Sequence, residues 1–144
     1  MAKVLYTAKA TVTGGRADGH GVTDDGALDV QLRTPDAGGG TNPEQLFAVG
    51  YAACFEGAIG VAGRRERMEV GDVSIESSVT LSSTEDRSFR LGVTLDVSLP
   101  SVEDPDVAER IVRAAHQVCP YSNATRGNID VALSVNGRSL AVSR

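Results

Sequence analysis

Apolar positions in this chain recur every second residue in some stretches and every third or fourth in others, and the change of period maps the elements. Val4, Tyr6, Ala10 and Val12 alternate with polar neighbours and predict a first strand, followed by a glycine-rich loop from Gly14 to Gly21 that carries Arg16 on a flexible tip. Asp25-Gly26 is a hairpin signal between a short strand near Val22 and another through Leu28, Val30 and Leu32, with Pro35 to Gly40 as a loop. Later, Val73, Ile75, Val79 and Leu81 form one alternating arm, and Phe89, Leu91, Val93, Leu95, Val97 and Leu99 a second, which predicts a hairpin with one buried face. Ile129, Val131, Leu133 and Val135 give a last strand, closed by Asn136-Gly137.

Two segments read as helix. Thr41-Asn42-Pro43-Glu44-Gln45 is a start signal, with Asn42 as N-cap, Pro43 at the first helical position and Gln45 in the reciprocal place of a capping box; the helix is expected to run to about Arg67. Residues 46 to 63 are apolar or glycine except for Glu56, but a carboxylate near the centre and four glycines argue for a buried helix over a membrane span. Its small residues would let another backbone come close. Pro105 opens the second helix, with Val107, Ile111, Val112 and Ala115 on one side, and Pro120 stops it near Cys119. The order βββ-α-ββ-α-β predicts an α+β domain, antiparallel-rich, with a long central helix and a second helix, and the 144 residues suit one domain spanning 1–144.

Composition narrows the function. A net charge of −5, no run of Lys or Arg, no Trp and only three Phe and three Tyr leave neither the basic footprint nor the stacking platforms of a nucleic-acid binder. Met1-Ala2-Lys3 leads straight into alternating residues with no basic-then-apolar leader, so the expectation is a cytoplasmic protein with no membrane or nucleic-acid partner. In that compartment a cysteine pair is more often redox-active or metal-binding than a structural disulfide.

The chain has two cysteines, Cys54 in the apolar helix and Cys119 just before Pro120-Tyr121-Ser122-Asn123. Each has an inert reading: buried cysteine behaves as a small hydrophobe, and a thiol at a helix end is often a cap-region residue. Chemistry at Cys54 would need a cation, since a free thiol with a pKa of about 8.5 is mostly protonated near neutrality. His116 and Cys119 are spaced i, i+3, and His20 and Cys54 could complete a tetrahedral set, but without CxxC or HExxH the metal signal is weak. The glycines around Arg16 match no phosphate-binding fingerprint.

Resemblance separates these readings. The segment Thr41-Asn42-Pro43-Glu44-Gln45-Leu46-Phe47-Ala48-Val49-Gly50-Tyr51-Ala52-Ala53-Cys54-Phe55, together with Cys119-Pro120-Tyr121-Ser122-Asn123-Ala124-Thr125-Arg126-Gly127-Asn128-Ile129-Asp130-Val131, resembles the organic hydroperoxide resistance (Ohr) branch of the Ohr/OsmC superfamily, over nearly the whole chain. The resemblance implies an intertwined homodimer and a thiol-dependent peroxidase for organic and fatty-acid hydroperoxides, with no bound cofactor or metal. It implies regeneration by an external dithiol, the lipoyl group of a partner protein. Position by position, it implies that Cys54 is the peroxidatic cysteine, Cys119 the resolving cysteine, Arg16 the activating arginine and Glu44 the carboxylate that holds that arginine. The loop Asp36-Ala37-Gly38-Gly39-Gly40 is shorter than in typical members.

On that reading Arg16 offsets the rise in thiol pKa that an apolar helix imposes, Glu44 orients the guanidinium through a bidentate pair, and Phe47, Tyr51 and Phe55 are either core or contacts for a greasy substrate tail. Glu44 and Cys54 are ten residues apart, about 15 Å of straight helix. Either the segment near Glu44 is not regular helix, with Arg16 bridging the gap, or the site combines two subunits. The competing functions are a redox-sensing or ligand-binding module that does not turn over, and a structural metal-binding domain.

Overall fold

The computed structural model describes residues 2–141. In chain order the elements are β1 (Ala10–Thr13), β2 (Asp18–Thr23), β3 (Asp29–Arg33), α1 (Pro43–Arg65), β4 (Ser74–Ser83), β5 (Phe89–Ser98), α2 (Pro105–Val118), α3 (Pro120–Thr125), β6 (Val131–Val135) and β7 (Arg138–Leu140). They fall into two compact units, one running to Leu46 and the other starting at Phe47.

The first unit is an antiparallel sheet in the order β1-β2-β3. The β1–β2 connection is tighter than the sequence suggested: β2 already begins at Asp18, so Gly19, His20 and Gly21 are strand and the turn shrinks to the residues around Arg16. Gly19 allows this, since a Cβ there would overlap the Gly15 carbonyl. Strand β1 covers only Ala10 to Thr13, and Val4 and Tyr6, which alternation placed in it, lie outside and exposed. The β2–β3 hairpin carries Asp25-Gly26 in a longer loop closed by Thr23 N–H donating to the Leu28 carbonyl at 2.9 Å. The loop after β3 is pinned by a parallel bridge between Leu32 and Thr41.

Asn42 caps α1 as its residue type predicts, its Oδ1 accepting from Gln45 N–H at 2.9 Å. Gln45 does not close the box; its Oε1 accepts from the Thr41 hydroxyl at 2.8 Å. The helix is continuous from Pro43, which removes the alternative of irregular backbone around Glu44. It ends at Arg65, two residues earlier than expected, because Arg67 turns left-handed with φ 55°. Arg67 N–H then donates to Arg64 O and Met68 N–H to Gly63 O, the Schellman pattern that closes a helix end. By length and composition α1 could cross a bilayer, but Tyr51, Phe55, Ala58, Ile59, Ala62 and Gly63 are buried in the protein.

In the second unit the sheet order is β4-β5-β6-β7. β4 and β5 form the expected antiparallel hairpin, while β5 and β6 run parallel, Val93 opposite Val131 and Leu95 opposite Leu133. Parallel pairing needs a crossover of a dozen or more residues, and α2 with α3 supplies it. Period-two burial puts Val93, Leu95, Val97 and Leu99 inward, where they meet the buried α1 residues from Tyr51 onward and the α2 stripe Ala108, Ile111, Val112 and Ala115. Two elements were not foreseen. Pro120 does not simply end α2 but starts α3 as its first residue, and Asn136-Gly137, both at positive φ, turns the chain into β7 instead of ending the sheet. Ile129 lies before β6.

If β5 is the central wall of this core, Leu95→Ala should cost about 2–5 kcal/mol, read as a lower urea midpoint at unchanged slope.

Candidate active site

The four residues singled out by sequence form two pairs, each within one unit. In the first unit Arg16 and Glu44 make a two-point contact: Nη2 donates to Oε1 at 2.8 Å and Nη1 to Oε2 at 3.4 Å. The fork matches a guanidinium to a carboxylate, so direction as well as charge is fixed. The Arg16 hydrogen bond holds the Glu44 carboxyl below the usual carboxylate range, against a small opposing effect of burial. Arg16 itself is half exposed, so the pair orients a cation more than it stabilises the fold.

In the second unit Cys54 and Cys119 are free thiols with their sulfurs 3.6 Å apart, Cys119 donating to Cys54. Closing to a disulfide needs roughly 1.5 Å of approach. Cys119 is fully buried, whereas Cys54 is part exposed. Burial pushes the Cys54 thiol up, the backbone N–H of Tyr121 pulls it back by bonding the sulfur, and Cys119 raises it further. Among the described residues of this unit, no cation is among the groups that act on it.

Cys119 gets its position from the break between α2 and α3. It has extended backbone, its N–H still reaching back to the Ala115 carbonyl, and Pro120 starts the next helix. Tyr121 then folds onto α1 at Gly50, where a Cβ would stand 2.7 Å from the Tyr121 hydroxyl. The glycines were expected to admit another backbone; at Gly50 the guest is an aromatic ring. Phe47 meets Tyr51 and Tyr121 edge-on there, and Tyr51 and Tyr121 pack tilted against each other.

An apolar groove of about 750 Å³ opens beside this junction, lined by Phe47, Phe89, Leu91, Tyr121 and Ile129 with Arg90 among them. Phe47 therefore faces a space a ligand can fill. Tyr51 and Phe55 do not, since both are fully buried core residues.

Sequence reasoning missed a polar network behind the thiols. The Ser122 hydroxyl lies 2.8 Å from Tyr51 Oη and 2.8 Å from His116 Nδ1, and Thr125 Oγ1 is 3.3 Å from Tyr51 Oη. Arg126 donates to the His116 carbonyl and to Asn123 Oδ1. The signal is present in the Ser, Thr and Arg of the second motif, and His116, weighed as a metal ligand against a surface or core residue, is a core residue. Its Nδ1 faces Ser122, and among the described residues no three His, Cys, Asp or Glu side chains gather where they could hold a metal.

Two thiols in contact inside an α+β fold define a dithiol protein, and comparison with known proteins narrows the class. The OsmC-like protein family model matches residues 34–134. The organic hydroperoxide resistance protein of Xanthomonas axonopodis pv. citri (strain 306) is 51% identical over 139 residues, covering 92% of this chain and 96% of that one. OhrB of Bacillus subtilis (strain 168) is 49% identical over 136 residues, 91% of this chain and 98% of its own. The crystal structure of Bacillus subtilis OhrB superposes with a TM-score of 0.86 at 49% identity, covering 92% of this chain and 99% of that chain. The chain belongs to the OsmC-like family, in its organic hydroperoxide resistance branch.

Burial, with Arg126 adding to it, pushes the His116 pKa below its ordinary 6.5. An unfolded chain then binds the proton more readily, so the stability His116 contributes is complete above about pH 6.5 and falls away as the pH drops. Thermal melts from pH 8 to pH 5 should show that loss, and His116→Asn should reduce it.

Proposed function

We propose that this protein is a thiol-dependent peroxidase that reduces organic and fatty-acid hydroperoxides to alcohols. Contact between a part-exposed and a buried sulfur at 3.6 Å carries the reading, and the names of the relatives supply the oxidant class.

The Cys54 thiolate attacks the terminal oxygen of the hydroperoxide, the O–O bond breaks, and the departing alkoxide takes a proton to leave as an alcohol. Cys54 becomes a sulfenic acid. The Cys119 thiol condenses with it, expelling water and forming the disulfide before a second peroxide can drive the sulfur to sulfinic acid. An external dithiol, the lipoyl group of a partner protein, restores both thiols by exchange and is itself oxidised to its disulfide.

Arg16 has the role of activator. A thiol whose pKa is raised by partial burial needs a cation to ionise near neutrality, and Glu44 holds the guanidinium in a fixed fork. Glu44 stands in regular helix ten residues before Cys54, a rise of about 15 Å, which favours a site completed across an intertwined homodimer. The same guanidinium can donate to charge growing on the leaving oxygen. The substrate's apolar tail takes the groove bounded by Phe47, Leu91 and Tyr121. The chemistry suits a cytoplasmic protein whose reductant is replenished by metabolism.

Cys54→Ser should abolish consumption of cumene hydroperoxide with dihydrolipoamide as reductant; turnover that survives the change rejects the peroxidase. Cys119→Ser should allow one oxidation and then accumulate Cys54 sulfinic acid, visible as a mass gain of two oxygens. Repeated cycles in the unmodified protein separate an enzyme from a sensor that reacts once.

Arg16→Ala should cut the peroxide rate at pH 7 by at least about tenfold. Burial raises the thiol pKa, so without the cation the thiolate forms only at higher pH and the deficit should shrink toward pH 9. A deficit that stays constant across that range would point to a role for Arg16 other than ionising the sulfur.

A further inference from the structure

Burying hydroxyl and imidazole groups is costly unless each finds a partner, and a core that needed only packing would use apolar residues at these positions. Around the α2–α3 junction the chain instead buries Tyr51, His116, Ser122 and Thr125 together. Ser122 is fully buried, and its hydroxyl reaches both Tyr51 Oη and His116 Nδ1 at 2.8 Å. With His116 neutral, one consistent proton arrangement has Ser122 donating to Nδ1 and accepting from Tyr51.

The three partners sit on three different helices. Tyr51 is on α1, three residues before Cys54; His116 is on α2, three before Cys119; Ser122 is on α3, three after it. Residues three apart on a helix share a face, so the hydrogen bonds tie the α1 backbone one turn from the first sulfur to both segments flanking the second. Satisfied buried networks of this kind specify one arrangement where apolar packing tolerates several. The step that depends on that arrangement is disulfide closure, because an error of about 1 Å between reacting groups can cost about a hundredfold in rate.

We propose that Tyr51, Ser122 and His116 form a positioning network that holds Cys119 within attack range of the Cys54 sulfenic acid, setting the rate of disulfide closure and thereby resistance to over-oxidation. None of the three touches the peroxide. The bond formed is Sγ–Sγ, the bonds broken are S–O of the sulfenic acid and S–H of Cys119, and water leaves. The inference rests on the dithiol cycle proposed above.

The test is single-turnover oxidation by cumene hydroperoxide, following peroxide loss and, by quenched mass spectrometry, disulfide and Cys54 sulfinic acid. Ser122→Ala should keep the peroxide step within about twofold of the unmodified protein while slowing closure by about tenfold or more, with a matching rise in sulfinic acid. His116→Leu should behave the same way. His116→Asn, whose carboxamide restores a polar atom near the Nδ1 position, should recover closure to within about threefold. Should Ser122→Ala fail to fold, Tyr51→Phe, which deletes one oxygen and keeps the ring, carries the same expectation. Ile59→Val, a core change on α1 outside the network, should slow neither step. Closure at the normal rate in folded Ser122→Ala or Tyr51→Phe, no rescue by His116→Asn, or equal slowing in Ile59→Val overturns the proposal. An unmodified protein that forms no disulfide at all overturns the cycle itself, whereas one that cycles normally beside unaffected variants overturns only the network.

Discussion

Holding two sulfur atoms against each other inside a protein core, without bonding them, is the constraint around which the second unit is organised. Cys54 comes from the middle of a long apolar helix and Cys119 from a break between two others, and the 3.6 Å contact exists because those backbones are fixed relative to one another. The break is chemical in origin: Pro120 has no N–H for α2, disfavours helical backbone at the residue before it and has a φ suited to the first turn of a new helix, so the chain changes direction at Cys119 itself. The parallel partner strand β6 follows because the α2–α3 crossover returns the chain on the far side of β5. The crossover and the sulfur contact therefore share one local interruption at Cys119-Pro120.

That location sets an electrostatic problem. Burial and the neighbouring Cys119 both disfavour the anion of Cys54, and the Tyr121 N–H is the opposing influence found in the same unit. The first unit meanwhile presents a guanidinium whose direction is held by a carboxylate, in the short turn between β1 and β2. The proposed peroxidase cycle calls on both a held cation and a thiol that resists ionisation. The sequence supplies them through a short β-turn and a long helix.

Much of this was legible from residues. Strict alternation in β5 announced its buried face because a strand's side chains have a period of two, and Asn42-Pro43 announced the start of α1 because both residues suit that geometry alone. Alternation overreached at Val4 and Tyr6, where pattern without a pairing partner makes no strand. The end of α1 was missed because an arginine, not a glycine, adopts the left-handed cap at position 67. β7 escapes the alternating pattern because Asn-Gly, which reads as the close of the last strand, is a two-residue turn. At the candidate site, the fork between Arg16 and Glu44 and the Cys54–Cys119 contact followed the family's motif, but the hydrogen bonds of Ser122 did not. Side chains that satisfy one another across three helices leave no period in the sequence, and a serine there looks like any loop serine.

The unequal burial of the two sulfurs has a further chemical effect. Were the two sulfurs joined, the atom open to an incoming thiolate would be that of Cys54, because Cys119 is fully buried. Nucleophilic displacement at sulfur proceeds in line, so attack on the accessible atom makes the hidden one the leaving group. On the proposed cycle a mixed disulfide with the reductant would accordingly form on Cys54, and Cys119 would leave as a thiolate that takes up a proton to become the buried thiol of the next round. Depth alone would thus give direction to an otherwise symmetrical S–S bond.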